Sequence, residues 1–213
     1  MKILITTDWY KPIVNGVVTS VLNLKRELEE RGHEVRVLTL SETGASYRDN
    51  EVYYVKSMDL GSIYPNARAV LPYGNPFIGE LIDWEPDVVH SQCEFMTFQY
   101  AVKISKKCGC PLLHTYHTIY EDYMHYLPGM LGRYTAGRKA GKKAVAEFSR
   151  TILNKTDRVI APTGKVRDIL STYQVKPEVD VIPSGIDLGK FRRILTQEEK
   201  EQRKEALGIP KEN

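Results

Sequence analysis

The chain has 213 residues, of which 42% are hydrophobic and 27% charged, and its formal net charge is +3. This balance excludes a disordered chain, and no apolar run approaches the roughly 20 residues that a membrane-spanning helix needs. The three cysteines, among them Cys108 and Cys110, form no pattern typical of a disulfide framework or a zinc site, and they are compatible with a reducing cytosol.

Strands and helices alternate along the first half of the chain. Lys2 to Asp8 is a short apolar run typical of a strand that is covered on both faces. Apolar residues then recur at helical spacing from Val18 to Glu30, and Gly32 is placed to end that helix. The patterns that follow predict strands over 34–40, 51–55 and 87–90, helices over 76–83 and 95–107, and a long loop over 57–76.

The alternation continues to the last fifth of the chain. The patterns predict strands over 111–115, 158–161 and 179–183 and helices over 132–154 and 163–172. Such alternation is typical of an α/β fold, here a Rossmann-like doubly wound parallel sheet. A strongly charged helix over 196–206 follows, so we divide the chain into a domain over 1–195 and a charged linker helix over 196–213 that leads toward a further domain.

Asn15 and Gly16 follow the first strand and open the first helix. In open α/β sheets ligands bind at the carboxyl ends of the strands, and a helix N-terminus favours a phosphate. Gly16 has no Cβ to obstruct a diphosphate, although an Asn-Gly pair can equally be a simple turn. The chain has neither the glycine pattern of a dinucleotide-binding fold nor that of a P-loop at this point, which disfavours an NAD enzyme or an ATPase.

The stretch from His114 to Tyr123 carries two histidines, two carboxylates and three tyrosines. Such groups hydrogen-bond hydroxyl-rich ligands and transfer protons. We expect His114 to be a buried strand histidine and His117, beyond the strand, to be better placed for a ligand. His90 ends the preceding strand with Glu94 close behind, and we expect it to support the site from within.

Residues 133–158 contain eight basic and two acidic side chains, a local net charge of +6. An element of this kind suits lipid headgroups, nucleic acid or a phosphorylated ligand, or else it is a solvated helix face. Helical spacing sets Arg138, Lys139, Lys142, Lys143 and Arg150 opposite an apolar arc of Ala140, Ala144, Val145, Phe148 and Ile152. This arrangement favours a membrane surface, and no recognised nucleic-acid motif accompanies it.

Motifs spread over nearly the whole chain resemble the N-terminal domain of retaining GT-B glycosyltransferases of family 4, the "glycosyl transferase group 1" type. They are Tyr10-Lys11-Pro12 with Asn15-Gly16-Val17, Arg31-Gly32-His33-Glu34-Val35, Asp87-Val88-Val89-His90, and Val181-Ile182-Pro183-Ser184-Gly185-Ile186-Asp187 with Phe191. The stretch over 114–123 and the basic helix after it are most similar to bacterial 1,2-diacylglycerol 3-glucosyltransferases.

The resemblance implies roles for particular residues. Gly16 and Asn15, which stands where the family often has a first glycine, would lie at the donor diphosphate, and His117 matches the family's active-site histidine. The acceptor side would comprise His90, Glu94, Tyr116, Tyr120 and Glu121. Membrane binding would fall to Arg138, Lys139, Lys142 and Lys143.

The resemblance also implies the reaction. With a C-terminal donor-binding domain, the enzyme would transfer a hexose, glucose, from a nucleoside diphosphate sugar such as UDP-glucose to diacylglycerol or a related lipid, with retention and without a metal. It would be cytoplasmic and peripheral on the inner face of the cell membrane. The 213-residue chain alone would be inactive and would bind no cofactor, and no nucleic acid is expected as a partner.

Two alternatives stay open on the sequence. The first is a family 4 glycosyltransferase with a soluble acceptor, whose basic helix is merely solvated. The second is a non-catalytic α/β module that binds an anionic partner through residues 133–158.

Overall fold

A computed structural model describes residues 1–61, 68–70, 75–123, 135–186, 188–189 and 194–209, and for 122–123 and 135–140 it describes the backbone alone. The strands are β1 (Lys2–Thr6), β2 (Glu34–Ser41), β3 (Tyr47–Asp49), β4 (Val52–Lys56), β5 (Met58–Asp59), β6 (Arg68–Ala69), β7 (Val88–Ser91), β8 (Leu112–Thr115), β9 (Arg158–Ala161) and β10 (Glu178–Val181). The helices are α1 (Gly16–Glu30), α2 (Pro76–Asp83), α3 (Met96–Cys108), α4 (Tyr120–Tyr123), α5 (Thr135–Leu153), α6 (Gly164–Thr172) and α7 (Gln197–Ala206).

The central sheet has eight strands in the order β10-β9-β8-β7-β1-β2-β4-β3. All neighbouring pairs are parallel except β3 with β4. The doubly wound α/β fold predicted from the alternation is therefore confirmed. The pattern missed the antiparallel edge strand β3, the short β5–β6 pair inside the predicted loop over 57–76, and the short helix α4.

Both faces of the sheet are covered by helices. On β1, Ile3 and Ile5 pack in one apolar cluster with Val21 of α1. Leu4 points into another cluster, which contains buried residues of α2 and α3 such as Leu81. Side chains alternate between the faces of a strand, so an unbroken apolar run is what a doubly covered strand requires. Leu4 and Ile5 are fully buried, and burial of each contributes roughly 1.5–3 kcal/mol.

The strand order reverses direction at β1. The chain passes from β1 outward to β2 and β4 on one side, then returns to place β7 and β8 on the other side of β1. Loops that leave adjacent strands on either side of such a switch point diverge and leave a crevice at the carboxyl edge of the sheet. The segments after β1, β7 and β8 meet at this edge, and they carry Asn15, Glu94 and His117.

Helix α5 buries only part of its apolar arc against the domain. Gly141, Ser149 and Leu153 are buried, whereas Ala144 is exposed and Phe148 is 40% exposed. Of the apolar arc, Ala144 and Phe148 therefore lie at the surface, whereas Val145 and Ile152 are partly buried against the core. On the buried side of the helix, the Ser149 hydroxyl lies 2.9 Å from the Tyr116 hydroxyl, and Leu153 packs in the same apolar cluster as Tyr116.

Helix α7 forms where the charge pattern predicted it, and its Thr196 and Glu199 make a reciprocal capping box. None of its described residues is buried. Its assignment as a linker helix stays a prediction. Among the described helices, none combines the length and the apolar character needed to cross a bilayer.

Candidate active site

The N-terminus of α1 opens onto the carboxyl edge of the sheet. The Asn15 side chain accepts a hydrogen bond from the Val18 amide at 2.8 Å and so caps the helix. Gly16 is exposed, and a Cβ added to it would meet no described atom of the chain within 4 Å. The fold of this domain thus gives no steric reason for a glycine here, and the space beside its backbone is open to a ligand.

Gln92 and His117 are joined side chain to side chain. Gln92 follows β7, where its backbone amide donates to the Thr6 carbonyl at 2.8 Å and extends the pairing with β1. Its side-chain Oε1 lies 2.7 Å from Nε2 of His117. Since an amide oxygen can only accept, Nε2 of His117 carries the proton and Nδ1 has the free lone pair. Gln92 is 2% exposed, so this contact is held inside the protein.

Glu94 brings a carboxylate into the same region. It is 5% exposed. Its Oε1 lies 3.2 Å from His114 Nε2, and its Oε2 accepts from the Tyr120 hydroxyl at 2.5 Å. His114 is fully buried, as the sequence predicted. The carboxylate therefore has a partner on each oxygen, from β8 on one side and α4 on the other.

Two histidines of this region are neutral at physiological pH. Burial lowers the pKa of His117 to about 4; nearby Glu94 opposes the shift and His114 adds to it. Burial, with the charges of His114 and His117, lowers the pKa of His90 to about 3. His117 therefore meets a ligand as a neutral imidazole, which can donate and accept hydrogen bonds without carrying charge.

His90 and Tyr116 support the site from the interior. His90 is buried and its Nε2 lies 2.8 Å from Oγ1 of Thr115 on the neighbouring strand. Tyr116 is fully buried, with its hydroxyl on Ser149 and its ring 5.9 Å from that of Tyr120. Both residues brace β8 and α4, and Tyr116 has no solvent-exposed surface with which to reach an acceptor.

Glu121 lies on the far side of α4 in a separate network. Its carboxylate accepts from the Tyr173 hydroxyl at 2.8 Å and pairs with Lys142 Nζ at 2.8 Å. Although burial raises the pKa of Glu121, the hydrogen bonds from Lys142 and Tyr173 and the charge of Lys142 bring it below its ordinary value. The structure thus ties Glu121 to α5 and α6 rather than to Glu94.

The predicted membrane-binding residues are described in part. Lys142 is largely exposed but is engaged by Glu121, and Lys143 is exposed. The side chains of Arg138 and Lys139 lie outside the described residues. Among the members of this set whose side chains are described, Lys142 thus has its charge paired with Glu121, whereas Lys143 presents its charge at the surface.

Sequence reasoning missed Asp8 and Gln92. The Asp8 carboxylate is buried and accepts from the amides of Met96 and Thr97 at 2.9 and 2.8 Å and from the Thr97 hydroxyl at 2.6 Å. It thereby caps α3, since Phe95 at the cap position makes no side-chain hydrogen bond. Burial raises the pKa of Asp8 although these hydrogen bonds oppose the shift. Its place directly after β1 was the available signal.

The arrangement suits the recognition of a polar ligand. It offers free amides at a helix start, a neutral imidazole and a buried carboxylate within one edge of the sheet. Within the described ranges, no three His, Cys, Asp or Glu side chains come close enough together to hold a metal ion. A hydroxyl-bearing ligand attached to an anionic group would find a partner for each of its parts here.

Comparison with known proteins decides the family. The model of Glycosyltransferase Family 4 matches residues 14–190. This range includes every strand from β2 to β10 as well as Gln92, Glu94 and His117. The chain belongs to glycosyltransferase family 4. The resemblance drawn from the motifs is thereby confirmed.

The chain is 36% identical over 213 residues to the alpha-monoglucosyldiacylglycerol synthase of Streptococcus pneumoniae, covering 98% of this chain and 46% of that protein. It is 31% identical over 211 residues to the alpha-monoglucosyldiacylglycerol synthase of Acholeplasma laidlawii, covering 98% of this chain and 52% of that protein. The chain therefore spans about half the length of these curated relatives.

A solved structure supports the family's GT-B fold. The catalytic domain of starch synthase IV from Arabidopsis thaliana, bound to ADP and acarbose, superposes with a TM-score of 0.52 at 13% identity. The match covers 97% of this chain and 58% of that chain. At this identity the likeness concerns the fold, and it agrees with the doubly wound domain predicted from the sequence.

Proposed function

We propose that this chain is the acceptor-side half of a retaining hexosyltransferase that transfers glucose from a nucleoside diphosphate glucose to diacylglycerol. Residues 1–195 form the domain, and 196–213 lead toward a C-terminal donor-binding domain. UDP-glucose is the donor that we infer. The observation that carries the proposal is that neutral His117 and buried Glu94 lie near enough to interact electrostatically at the switch-point edge, in a chain 36% identical to an alpha-monoglucosyldiacylglycerol synthase.

The donor diphosphate would lie at the start of α1. Gly16 leaves room for a phosphate oxygen to approach its backbone. The backbone amides at this helix N-terminus form the positive end of the helix dipole, which attracts an anion. Negative charge grows on the diphosphate as the bond to the sugar breaks, so amides fixed in advance stabilise the transition state more than the ground state. Asn15 holds these amides in place by capping the helix.

His117 would contact the transferred sugar. With Nε2 bound to Gln92, its Nδ1 is left as a hydrogen-bond acceptor for a sugar hydroxyl. A neutral ring suits this place, because a positive charge beside the anomeric carbon would oppose the positive charge that develops on the sugar. The low pKa of His117, about 4, keeps the ring neutral at working pH.

Glu94 would mark the acceptor side, with Tyr120 and His114 as its supports. A carboxylate accepts a hydrogen bond from the acceptor hydroxyl and orients it toward the anomeric carbon. Retention requires that this hydroxyl attack from the face that the diphosphate leaves. His90 and Tyr116 would serve this side indirectly through β8 and α4.

The basic residues of α5 would rest on anionic lipid headgroups, and of these Lys142 and Lys143 are exposed. Lys143, together with Arg138 and Lys139 of the same helix, supplies the positive charge, at about 1 kcal/mol for each residue near an anionic surface. The protein would be peripheral on the cytoplasmic face of the membrane, where nucleotide sugars and diacylglycerol meet.

The test is transfer by the full-length enzyme. Radiolabelled UDP-glucose is supplied with vesicles that contain diacylglycerol, and the product is extracted, identified as glucosyl-diacylglycerol and its anomeric configuration determined by NMR. His117→Ala should abolish transfer, and unchanged turnover would remove His117 from the site. Transfer to a soluble sugar but not to diacylglycerol would instead favour the soluble-acceptor alternative.

A further inference from the structure

An apolar groove runs from Glu94 along the surface between α3 and α5. It has a volume of about 430 Å³, and we name it the α3–α5 groove. Glu94, Val102 of α3 and Ile152 of α5 are among the residues that line it, and we call its exposed pair, Phe95 and Phe148, the mouth of the groove. Glu94 precedes α3 and Val102 lies within that helix, so the lining passes from the residue assigned above to the acceptor side to apolar surface.

We infer that the α3–α5 groove holds one acyl chain of the lipid acceptor. The inference rests on the proposed function, because it takes the acceptor hydroxyl to lie at Glu94. A diacylglycerol carries its free hydroxyl next to two hydrocarbon chains. The groove presents the same order, a carboxylate first and apolar side chains after it.

Two exposed phenylalanines mark the mouth of the groove. Phe95 is 41% exposed and Phe148 is 40% exposed, and their rings stack at a centroid distance of 6.0 Å. Exposed apolar surface costs about 25 cal/mol for each Å², and a contiguous patch of it marks a binding surface. Hydrocarbon laid over these rings would remove that cost.

The same rings contact the residue that holds the carboxylate. The Tyr120 ring lies 5.8 Å from Phe95 and 6.4 Å from Phe148, and its hydroxyl donates to Glu94 at 2.5 Å. Tyr120 therefore has an apolar ring against the mouth of the groove and a polar tip at the proposed acceptor site. A lipid whose chain passes these rings would bring its hydroxyl to Glu94.

The dimensions and the chemistry favour a chain over a peptide. Helix α3 rises about 9 Å between residues 96 and 102, which accommodates part of an acyl chain and leaves the rest in the bilayer. A peptide in the groove would bury backbone amides and carbonyls that need partners. The groove is lined mainly by apolar side chains such as those of Val102 and Ile152. Its polar lining residues are Glu94, Gln99 and Lys155.

Photo-crosslinking tests the inference on the 213-residue chain itself. The probe is a diacylglycerol with a diazirine midway along one acyl chain, in phosphatidylcholine vesicles, and labelled peptides are located by mass spectrometry. We expect labels on the peptides that contain Val102 and Ile152. The control probe is phosphatidylcholine with the same diazirine chain, which reports contact with the bilayer in general and should label these peptides much less.

Paired variants make the test specific. Phe148→Asp sets a charge at the mouth of the groove and should reduce groove labelling by about tenfold, since an unpaired charge beside hydrocarbon is costly. Ala144→Asp introduces the same charge at an exposed position of α5 outside the lining and should leave labelling unchanged. Val102→Trp fills the groove, and Lys103→Trp at the exposed neighbouring position of α3 is its control.

The outcomes separate this inference from the proposed function. Labels confined to other surfaces, equal labelling by both probes, or no label at all would overturn the groove assignment, because both walls belong to this chain. A loss of labelling in Val102→Trp supports the inference only if a thermal unfolding transition shows that the variant is folded. Phe148→Asp changes an exposed position and is the second variant in which labelling is measured. Transfer of glucose to diacylglycerol is measured separately, and its absence would overturn the proposed function whatever the labelling of the groove.

Discussion

Gln92 Oε1 lies 2.7 Å from His117 Nε2, so a buried amide fixes which nitrogen of the His117 imidazole carries the proton. Gln92 comes from the end of β7 and His117 from the end of β8, and the contact forms only because these strands are neighbours in the sheet. The buried side chains of Glu94 and His114 lie at the same edge of the sheet. In the proposed function Gln92 is a positioning residue, since it would act on the substrate through His117.

The first prediction concerns this contact. Gln92→Leu should free the imidazole to take either tautomer and either ring orientation, because the hydrogen bond that selects one is lost. Transfer by the full-length enzyme should fall by about tenfold to a hundredfold. The ¹⁵N chemical shifts of His117 should change from one dominant tautomer to a mixture, a signal that mere loss of stability would not produce. Wild-type shifts in the variant would contradict the assignment.

The second prediction concerns acid stability. The pKa of His117 is about 4 and that of His90 about 3 in the folded chain, against an ordinary value of 6.5. As the pH falls below about 6.5 the unfolded chain binds protons that the folded chain does not, so the free energy of unfolding should fall by about 1 kcal/mol per pH unit for each histidine. Asp8, whose pKa is raised, offsets part of this loss at the acid end.

Urea unfolding at pH 7.0 and at lower pH values checks the histidine contribution. His90→Gln and His117→Gln should each make the free energy of unfolding less dependent on pH. Each variant should remove up to one proton from the number taken up on unfolding at low pH. The Gln side chain at position 90 can retain a hydrogen bond to Thr115. A pH dependence unaltered in both variants would show that other groups cause it.

The third prediction separates fold from ligand at the start of α1. Gly16→Ala meets open space in this domain, so it should leave stability unchanged or raise it by about 0.4–1 kcal/mol. The added methyl group would stand where the diphosphate approaches, so the donor Kd of the full-length enzyme should rise at least about tenfold. Gly79→Ala, in helix α2 and equally unobstructed, is the matched control and should leave donor binding as it is.

The fourth prediction tests the acceptor side. Glu94→Gln keeps the shape of the side chain but removes its charge, and kcat/KM for diacylglycerol should fall by about a hundredfold in the full-length enzyme. Tyr120→Phe removes one hydrogen bond to the carboxylate, and a smaller loss of about tenfold is expected. The donor Kd should stay constant in both variants. If it rises instead, Glu94 belongs to the donor side.

The fifth prediction concerns the membrane surface. Lys143→Glu should weaken co-sedimentation of the chain with anionic vesicles by about tenfold at low salt, because two units of charge are exchanged at the headgroups. Lys106→Glu makes the same change at an exposed position of α3 and serves as control. Lys142→Glu is a poorer probe, since it also breaks the ion pair with Glu121. Equal binding of all variants would mean that this basic face is only solvated.

Much of the fold could be predicted from local pattern. The run from Lys2 to Asp8 predicted a doubly covered strand, and Ile3 and Leu4 do pack on opposite faces of the sheet. Asn15 caps the helix that it was expected to start, and Gly32, expected to end it, has a φ of +81°. These features depend on neighbours in the chain, and periodicity and cap chemistry report such neighbours directly.

The site itself needed tertiary structure. The sequence alone placed His117, Glu94 and Gly16 after strands, and thus at one edge of a parallel sheet. Only the packing of β1, β7, β8 and α4 decided that His117 pairs with Gln92, that Tyr120 holds Glu94 and that Glu121 turns away to Lys142. Those partners lie 25, 26 and 21 residues apart in the chain, and their pairing follows from strand order and helix rotation, which no local spacing encodes.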